Sequence, residues 1–478
     1  MTSQRASVDV QDLRDRHPLP DVMADAGIEL IPRGGAWMAC CPFHEDRTAS
    51  MSVEGVPDRF HCFGCGASGD VIDFVQRTRN LDFLDAVAEL ENGRSIPVSG
   101  IAANHPRLRS VPAPPDFQVT HERAFEINQL AWDHLSTPVA ASFARQRLWH
   151  HRGLNLRDLQ LEAPGPLVGY ASHGWTTLTE HLRGEGVTDD ELLELDLATR
   201  TRTGGLIDTL RDRLIFPVTN SHGQIHGFIG RDVSGHPHAP KYRNPSRTPV
   251  FDKSQLLYRP THHTLAASGH AVIVEGAIDA IALAAAAAAA GVSDQIAPMS
   301  ANGITVSPTQ AAAVLAASPQ MPRVALDGDD AGRRGTDRWV EAMCLTARRP
   351  LAITEMPAGT DPAAWIADHG PTGVNAFLRP CESQTGAGPV THLPGRDLVR
   401  LVLARATDPV RDTVAAVAPL VEGLSPRARA RFIDEVTSEM TRHGWNPRGV
   451  FTIALARELQ PASGAIRGAA VAAGPALL

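Results

Sequence analysis

At 478 residues the chain has room for about three domains. Its 43% hydrophobic and 21% charged residues fit a globular protein in water, and no apolar run reaches the ~18 residues of a membrane span, so no membrane role is expected. A formal net charge of −8 excludes a uniformly basic nucleic-acid binder, though not a local basic surface.

The N-terminal stretch MTSQRASVDVQDLRDRHPLP mixes both charge signs and has no apolar core, so it is not a signal peptide and a cytoplasmic location is expected. Four of the six cysteines, Cys40, Cys41, Cys62 and Cys65, then fall within 26 residues, while Cys344 and Cys381 stand apart. In a reducing compartment such clustering points to metal rather than disulfides. The text CPFHEDRTASMSVEGVPDRFHCFGCGASGD holds Cys41-x2-His44 and Cys62-x2-Cys65. Two such pairs supply a closed tetrahedron, so one structural zinc is expected on Cys41, His44, Cys62 and Cys65. Cys40 and His61 compete for the same role. The two-residue gap favours Cys41 over Cys40, and His61 is expected to pack or to touch nucleic acid.

Residues 1–95 read as this zinc unit, and 96–116, rich in Pro, Gly and Ser, read as a linker. From 117 to 212 apolar residues recur at helical spacing, as in HERAFEINQLAWDHL. Leu214–Val218 and Gln224–Ile229 flank the turn 220–223 and predict a hairpin. The segment from Arg211 to Tyr258 gathers Arg231, Lys241, Arg243, Arg247 and Lys253 with Tyr242 and Tyr258, a pattern suited to single-stranded nucleic acid and triphosphates. Lys241 and Lys253 are the only lysines among 45 basic residues.

From 271 the pattern changes to AVIVE, a helix over Ala277–Ala290 stopped by Gly291, then RVALD at 323–327, a helix from about Ala331, and LAITEM at 351–356. Alternation of strand and helix predicts a parallel sheet covered by helices. Glu275 ends the first strand and Asp279 follows at i+4; Asp327 ends the second, with Asp329 just beyond. Carboxyl ends of parallel strands converge on the ligand crevice. Four carboxylates meeting there need cations, and two or more Mg2+ or Mn2+ ions suit nucleotidyl transfer. After Gly388 the pattern is helical, and the Ala/Gly-rich end from 463 is expected to be disordered.

These motifs resemble one family. CPFHEDRTAS and FHCFGCGASGD are similar to the zinc-binding domain of bacterial DnaG-type DNA primases. RDRLIFPV, GFIGR and PKYRN resemble the basic N-terminal part of their core, and IVEGAIDAIAL and ALDGDDAGRRG resemble their TOPRIM motifs. The resemblance implies an α+β multidomain chain: a zinc ribbon at 1–95, a mixed α/β basic subdomain at 117–265, an α/β TOPRIM domain with a parallel sheet at 266–385, and a helical subdomain at 386–462. It implies synthesis of short RNA primers on a single-stranded DNA template from NTPs, with a replicative helicase and single-strand-binding protein as further partners. Glu275, Asp279, Asp327 and Asp329 become the catalytic, metal-holding acids, joined by Asp361. Arg152, Arg231, Lys241, Tyr242, Asn244 and Lys253 become the nucleic-acid and nucleotide surface.

There are two departures. Where the family reads D-P-D, this chain has Asp361-Pro362-Ala363, one carboxylate fewer. The chain is also shorter than full-length chromosomal primases, so the long C-terminal helicase-binding domain is expected to be absent or much reduced, as in a plasmid, phage or accessory version. A type IA topoisomerase is disfavoured because Tyr170, Tyr242 and Tyr258, the only tyrosines, all precede Asp327. The rival of another class is a non-catalytic single-stranded-DNA-binding replication factor with this fold.

Overall fold

The computed structural model describes residues 17–33, 36–43, 49–55, 58–62, 67–79, 86, 90, 117–201, 203–236, 239–301, 306–379 and 388–459. They belong to two compact units, Met1–Gln118 and Val119–Leu478. The expected linker 96–116 lies outside the described residues, as does the expected tail from 463.

In the first unit five short strands form one antiparallel meander: β1 (Ile31–Arg33), β2 (Ala36–Ala39), β3 (Met51–Gly55), β4 (Asp58–Cys62) and β5 (Ser68–Gly69). Alternation explains its single apolar face. Met51 pairs with Cys62 and Val53 with Phe60, and all four are buried. That face packs on Leu19 and Met23 of the helix Leu19–Asp25 and on Phe74 and Val75 of the helix Val71–Arg79. Asp70 starts the latter helix by accepting hydrogen bonds from the Ile72 and Asp73 amides at 2.8 and 3.1 Å.

The second unit opens with the helices His121–Leu135, Pro138–Arg152 and Arg157–Glu162. Thr120 and Thr137 cap the first two at their N-termini, and left-handed Gly153 (φ 63°) ends the second. Then follow β6 (Gly169–Ala171), two short helices, a two-stranded ladder of β7 (Ala198–Arg200) and β8 (Leu206–Asp208), and the predicted hairpin of β9 (Arg213–Thr219) and β10 (Ile225–Asp232). With β11 (Tyr242–Arg243) they make a four-stranded antiparallel sheet in the order β11-β10-β9-β6.

The second sheet has the order β13-β12-β14-β15-β16, built from β12 (His270–Val274), β13 (Ile296–Ser300), β14 (Arg323–Val324), β15 (Ala352–Glu355) and β16 (Val390–His392). The first four are parallel and β16 runs antiparallel at one edge. Both faces are buried. Val272 and Val274 enter one apolar core with the helix Ala277–Ala290, while Ala271 and Ile273 enter another with Trp339, Phe432 and Phe451. The first core runs from Ala144 to Phe377 and crosses the boundary expected at 265, and the second runs from Leu257 to Leu455 and crosses those expected at 265 and 385.

Three elements differ from the sequence reading. The strand expected over 323–327 is paired only at Arg323–Val324, and the Ala325 amide makes its last bond to the sheet, donating to the Ile273 carbonyl at 2.8 Å. β13 carries Pro298, which argues against a strand, but it lies at the sheet edge, where a missing N–H costs no ladder bond. β16 is three residues long, too short for periodicity to show, and it attaches the start of the C-terminal segment to the sheet. No helix among the described residues is long and apolar enough to cross a membrane.

Candidate active site and zinc site

The acids lie where the parallel strands end. Glu275 directly follows β12, Asp327 follows β14, and Asp361 follows β15 as the N-cap of the helix Pro362–His369. Two loops are clamped together to achieve this. The Gly328 amide donates to the Thr360 carbonyl at 3.0 Å, and the Gly359 amide donates to the Gly328 carbonyl at 2.9 Å. The backbone approach is so close that a Cβ on Gly328 would collide with the Pro357 carbonyl oxygen. Asp327 and Asp329 are thereby held beside Asp361.

Asp279, the i+4 neighbour of Glu275, is buried. Its carboxylate turns back over the helix start, accepting from the Gly276 and Ala363 amides, each at 3.2 Å. Only 7% of the residue is exposed. Position 363 therefore contributes through its backbone, while the alanine methyl is sealed in the apolar core. A carboxylate there would have to be buried or displace that packing.

Crowding of like charge shows in the acidities. Burial, then Asp361, push Asp279 up to about 7, offset by the two amides and Arg152. Burial, then Asp279, Glu275, Asp361 and Asp329, push Asp327 up to about 7. Burial and Asp329 also raise Glu275, and Lys241 opposes them. Asp327 Oδ1 is buried with no hydrogen-bond partner. A buried, unpaired carboxylate oxygen amid four more acids fits a divalent cation better than it fits any group present. No three His, Cys, Asp or Glu side chains among the described residues are already drawn into one cage.

The basic residues divide into two sets. Arg152 Nη1 lies 3.3 Å from Asp361 Oδ2, joining the end of one helix to the start of another. The Tyr242 hydroxyl approaches Gly276, where an added Cβ would stand 3.1 Å from it, and burial raises its pKa with help from Asp279. The Arg231 guanidinium covers the Tyr242 ring at 4.8 Å, and Lys241 acts on Glu275 as already noted. Those four gather at the acids. Asn244 lies instead beside Leu195, Asp196 and Phe228. Lys253 is half-buried near the helix Pro308–Ala317, whose Gln310 donates to its carbonyl, and burial lowers its pKa. Neither is drawn to the acids by any contact described.

Gly276 and Gly328 escaped the sequence reading, although a glycine at each strand end was the available signal. It also missed a cleft of about 740 Å3 that opens at Asp327 and runs past β15 and β16 to the helix Pro426–Arg442. Four arginines and six carboxylates line it, so it does not attract a polyanion.

In the first unit, the register aligns Ala39, Met51 and Cys62 across three strands, so Cys41, two residues past Ala39, reaches the same end as Cys62. Cys41 and Cys62 are both buried, whereas Cys40 and His61 face outward. Paired inward thiols fit the zinc expected there; His44 and Cys65 lie outside the described residues.

Three families match in the same order: a CHC2 zinc finger over residues 5–104, the N-terminal domain of the DNA primase catalytic core over 160–264, and a Toprim-like domain over 272–366. The DNA primase of Escherichia coli (strain K12) is 30% identical over 382 residues, covering 79% of this chain and 62% of that protein. The DNA primase of Deinococcus radiodurans is 30% identical over 340 residues, covering 70% of this chain and 54% of the relative. The chain thus spans little more than half the length of the curated relatives it matches. Among solved structures, the Aquifex aeolicus primase (zinc binding and RNA polymerase domains) aligns at TM-score 0.48 and 20% identity, over 91% of this chain and 97% of that one. The RNA polymerase domain of Mycobacterium tuberculosis primase DnaG aligns at TM-score 0.49 and 20% identity, over 67% and 100%. A CHC2 zinc finger, the N-terminal domain of a DNA primase catalytic core and a Toprim-like domain thus follow one another along the chain, which is similar in sequence to bacterial DNA primases.

Proposed function

We propose that the chain is a DNA primase that joins NTPs into short RNA primers on single-stranded DNA. The observation that carries this reading is the crowded acidic ledge, with the Asp327 oxygen buried and unpartnered at its centre. A pure binder of polyanions gains nothing from buried carboxylates, because they repel its ligand. Glu275, Asp279, Asp327, Asp329 and Asp361 hold the divalent ions. Magnesium or manganese bound there supplies positive charge at the reacting phosphate.

The protein's own groups do the rest. Lys241 and Arg231 bind the triphosphate as fixed charges. Tyr242, held neutral by its raised pKa, fills the space between Arg231 and Asp279. Arg152 fixes Asp361 and faces the template. Glu275, whose pKa is raised by burial and by Asp329, accepts the proton as the 3′-hydroxyl of one nucleotide attacks the α-phosphate of the next and pyrophosphate leaves. The zinc on Cys41, His44, Cys62 and Cys65 holds the first unit together for template handling. Domain limits are taken at 1–95, 117–265, 266–385 and 386–462, and the matched segments 5–104, 160–264 and 272–366 overlap the first three. A replicative helicase and single-strand-binding protein are the further partners of this role.

Asp329→Ala tests the site. Asp329 is exposed and caps the helix Asp330–Val340 by accepting from the Gly332 amide at 2.8 Å, so its loss costs only about 1 kcal/mol of stability. Primer synthesis should fall by about 10³-fold, with single-stranded DNA binding unchanged. Wild-type synthesis by this variant would remove the metal-site assignment.

A further inference from the structure

The helix Pro138–Arg152 ends at the active site but carries a feature that the chemistry does not use. Trp149 is 55% exposed, a large ring left in water. Helical spacing puts it between two arginines: Arg145 is four residues before it and Arg152 three after, so the three share one face. Helical side chains lean toward the N-terminus, so the indole lies over the turn that bears Arg145. Arg152 reaches Asp361 at the acidic ledge.

The charge around this stripe is opposite to that of the whole chain. From Pro138 to Arg157 there are four arginines, two histidines and no carboxylate, in a protein of net charge −8. Arg147 is used internally, donating to the Val233 carbonyl at 3.0 Å. Arg145 has no comparable partner among the hydrogen bonds and ion pairs described.

We propose that Trp149 is a stacking platform for one base of the single-stranded DNA template, with Arg145 and Arg152 on the flanking phosphates. This rests on the primase reading and deepens it by assigning the path by which template reaches the acids. A cation–aromatic–cation stripe suits single strands, because every base offers a π-face and every linkage a negative charge. A duplex hides its base faces, so the site discriminates against one. The exposed Trp175 is different, since the Arg211 guanidinium already covers its ring at 3.6 Å.

The test is binding of a fluorescent single-stranded oligonucleotide to the full chain, with primer synthesis by wild type measured in parallel. Trp149→Ala should weaken binding roughly ten-fold, and Trp149→Phe should recover most of the loss. The melting temperature of both should match wild type, because the ring is largely in solvent. Removing a ring deletes no charge, so the salt slope of Trp149→Ala should equal that of wild type. Arg145→Ala should reduce that slope by about 0.7. Unchanged affinity of Trp149→Ala, or equal loss in Trp149→Phe, would overturn the platform. If the variants behave as expected but wild type makes no primers, the platform stands and the primase reading fails.

Discussion

Asp327→Asn is expected to abolish primer synthesis while making the metal-free protein more stable. The two effects share one cause. Asp327 Oδ1 is buried without a partner, and four carboxylates repel its charge, so the folded metal-free protein holds it at about 7. An unfolded aspartate titrates near 3.9. Because the folded value is raised, the stabilising contribution is complete below about pH 4 and is lost as pH rises through about 7. The metal-free melting temperature should therefore fall between pH 4 and 7 and level off above, with Asp279 adding to the slope. Magnesium should restore most above pH 7, where the carboxylates are ionised and bind it.

Asparagine keeps the shape and removes the charge. Without metal at pH 8 its melting temperature should exceed wild type by a few degrees, on the order of 1 kcal/mol, and its pH slope should be shallower. Added magnesium should stabilise it less than wild type. A site that stores destabilising charge for function behaves this way. Differential scanning fluorimetry across pH, with and without magnesium, reads all of this. A variant less stable than wild type at pH 8 would show Asp327 to be a structural acid instead.

The second large effect is on the first unit. Its core is small, and Cys41 and Cys62 are buried within it. Structural zinc supplies about 10–16 kcal/mol of apparent binding free energy, more than a small domain's own stability. Chelation, or Cys62→Ser, should unfold this unit alone. Limited proteolysis should then cut freely before residue 118 and leave a resistant fragment covering 119–459. An unchanged digestion pattern after verified zinc removal would contradict the assignment.

Much of the site was legible because it is local. Two x2 pairs suit zinc, Glu275 stands directly after a buried strand, and Asp327 closes the apolar run RVALD. What could not be read depends on distant backbone. Arg152 and Asp361 pair across 209 residues. The Gly328–Thr360 clamp that brings Asp361 in is a main-chain contact with no side-chain signature. The spacing puts Asp279 on the face of Glu275, but the amides of the helix start and of Ala363 that its carboxylate accepts from could not be read from it. The helix Pro308–Ala317 went unread, although Ser307, Pro308 and Gln310 spell a capping box with proline at its first position. Lys253 is tied by its backbone carbonyl to Gln310 of the unread helix, a main-chain contact with no signature in the sequence.

The central claim is that these acids serve primer synthesis. It is tested most directly by incubating the purified chain with single-stranded DNA and labelled NTPs, with and without magnesium, and separating the products by length. The account predicts short, template-dependent RNA that requires magnesium and disappears in Asp327→Asn. Tight template binding with no RNA product on any template, in magnesium or manganese, would contradict it and leave a binding factor built on a primase fold.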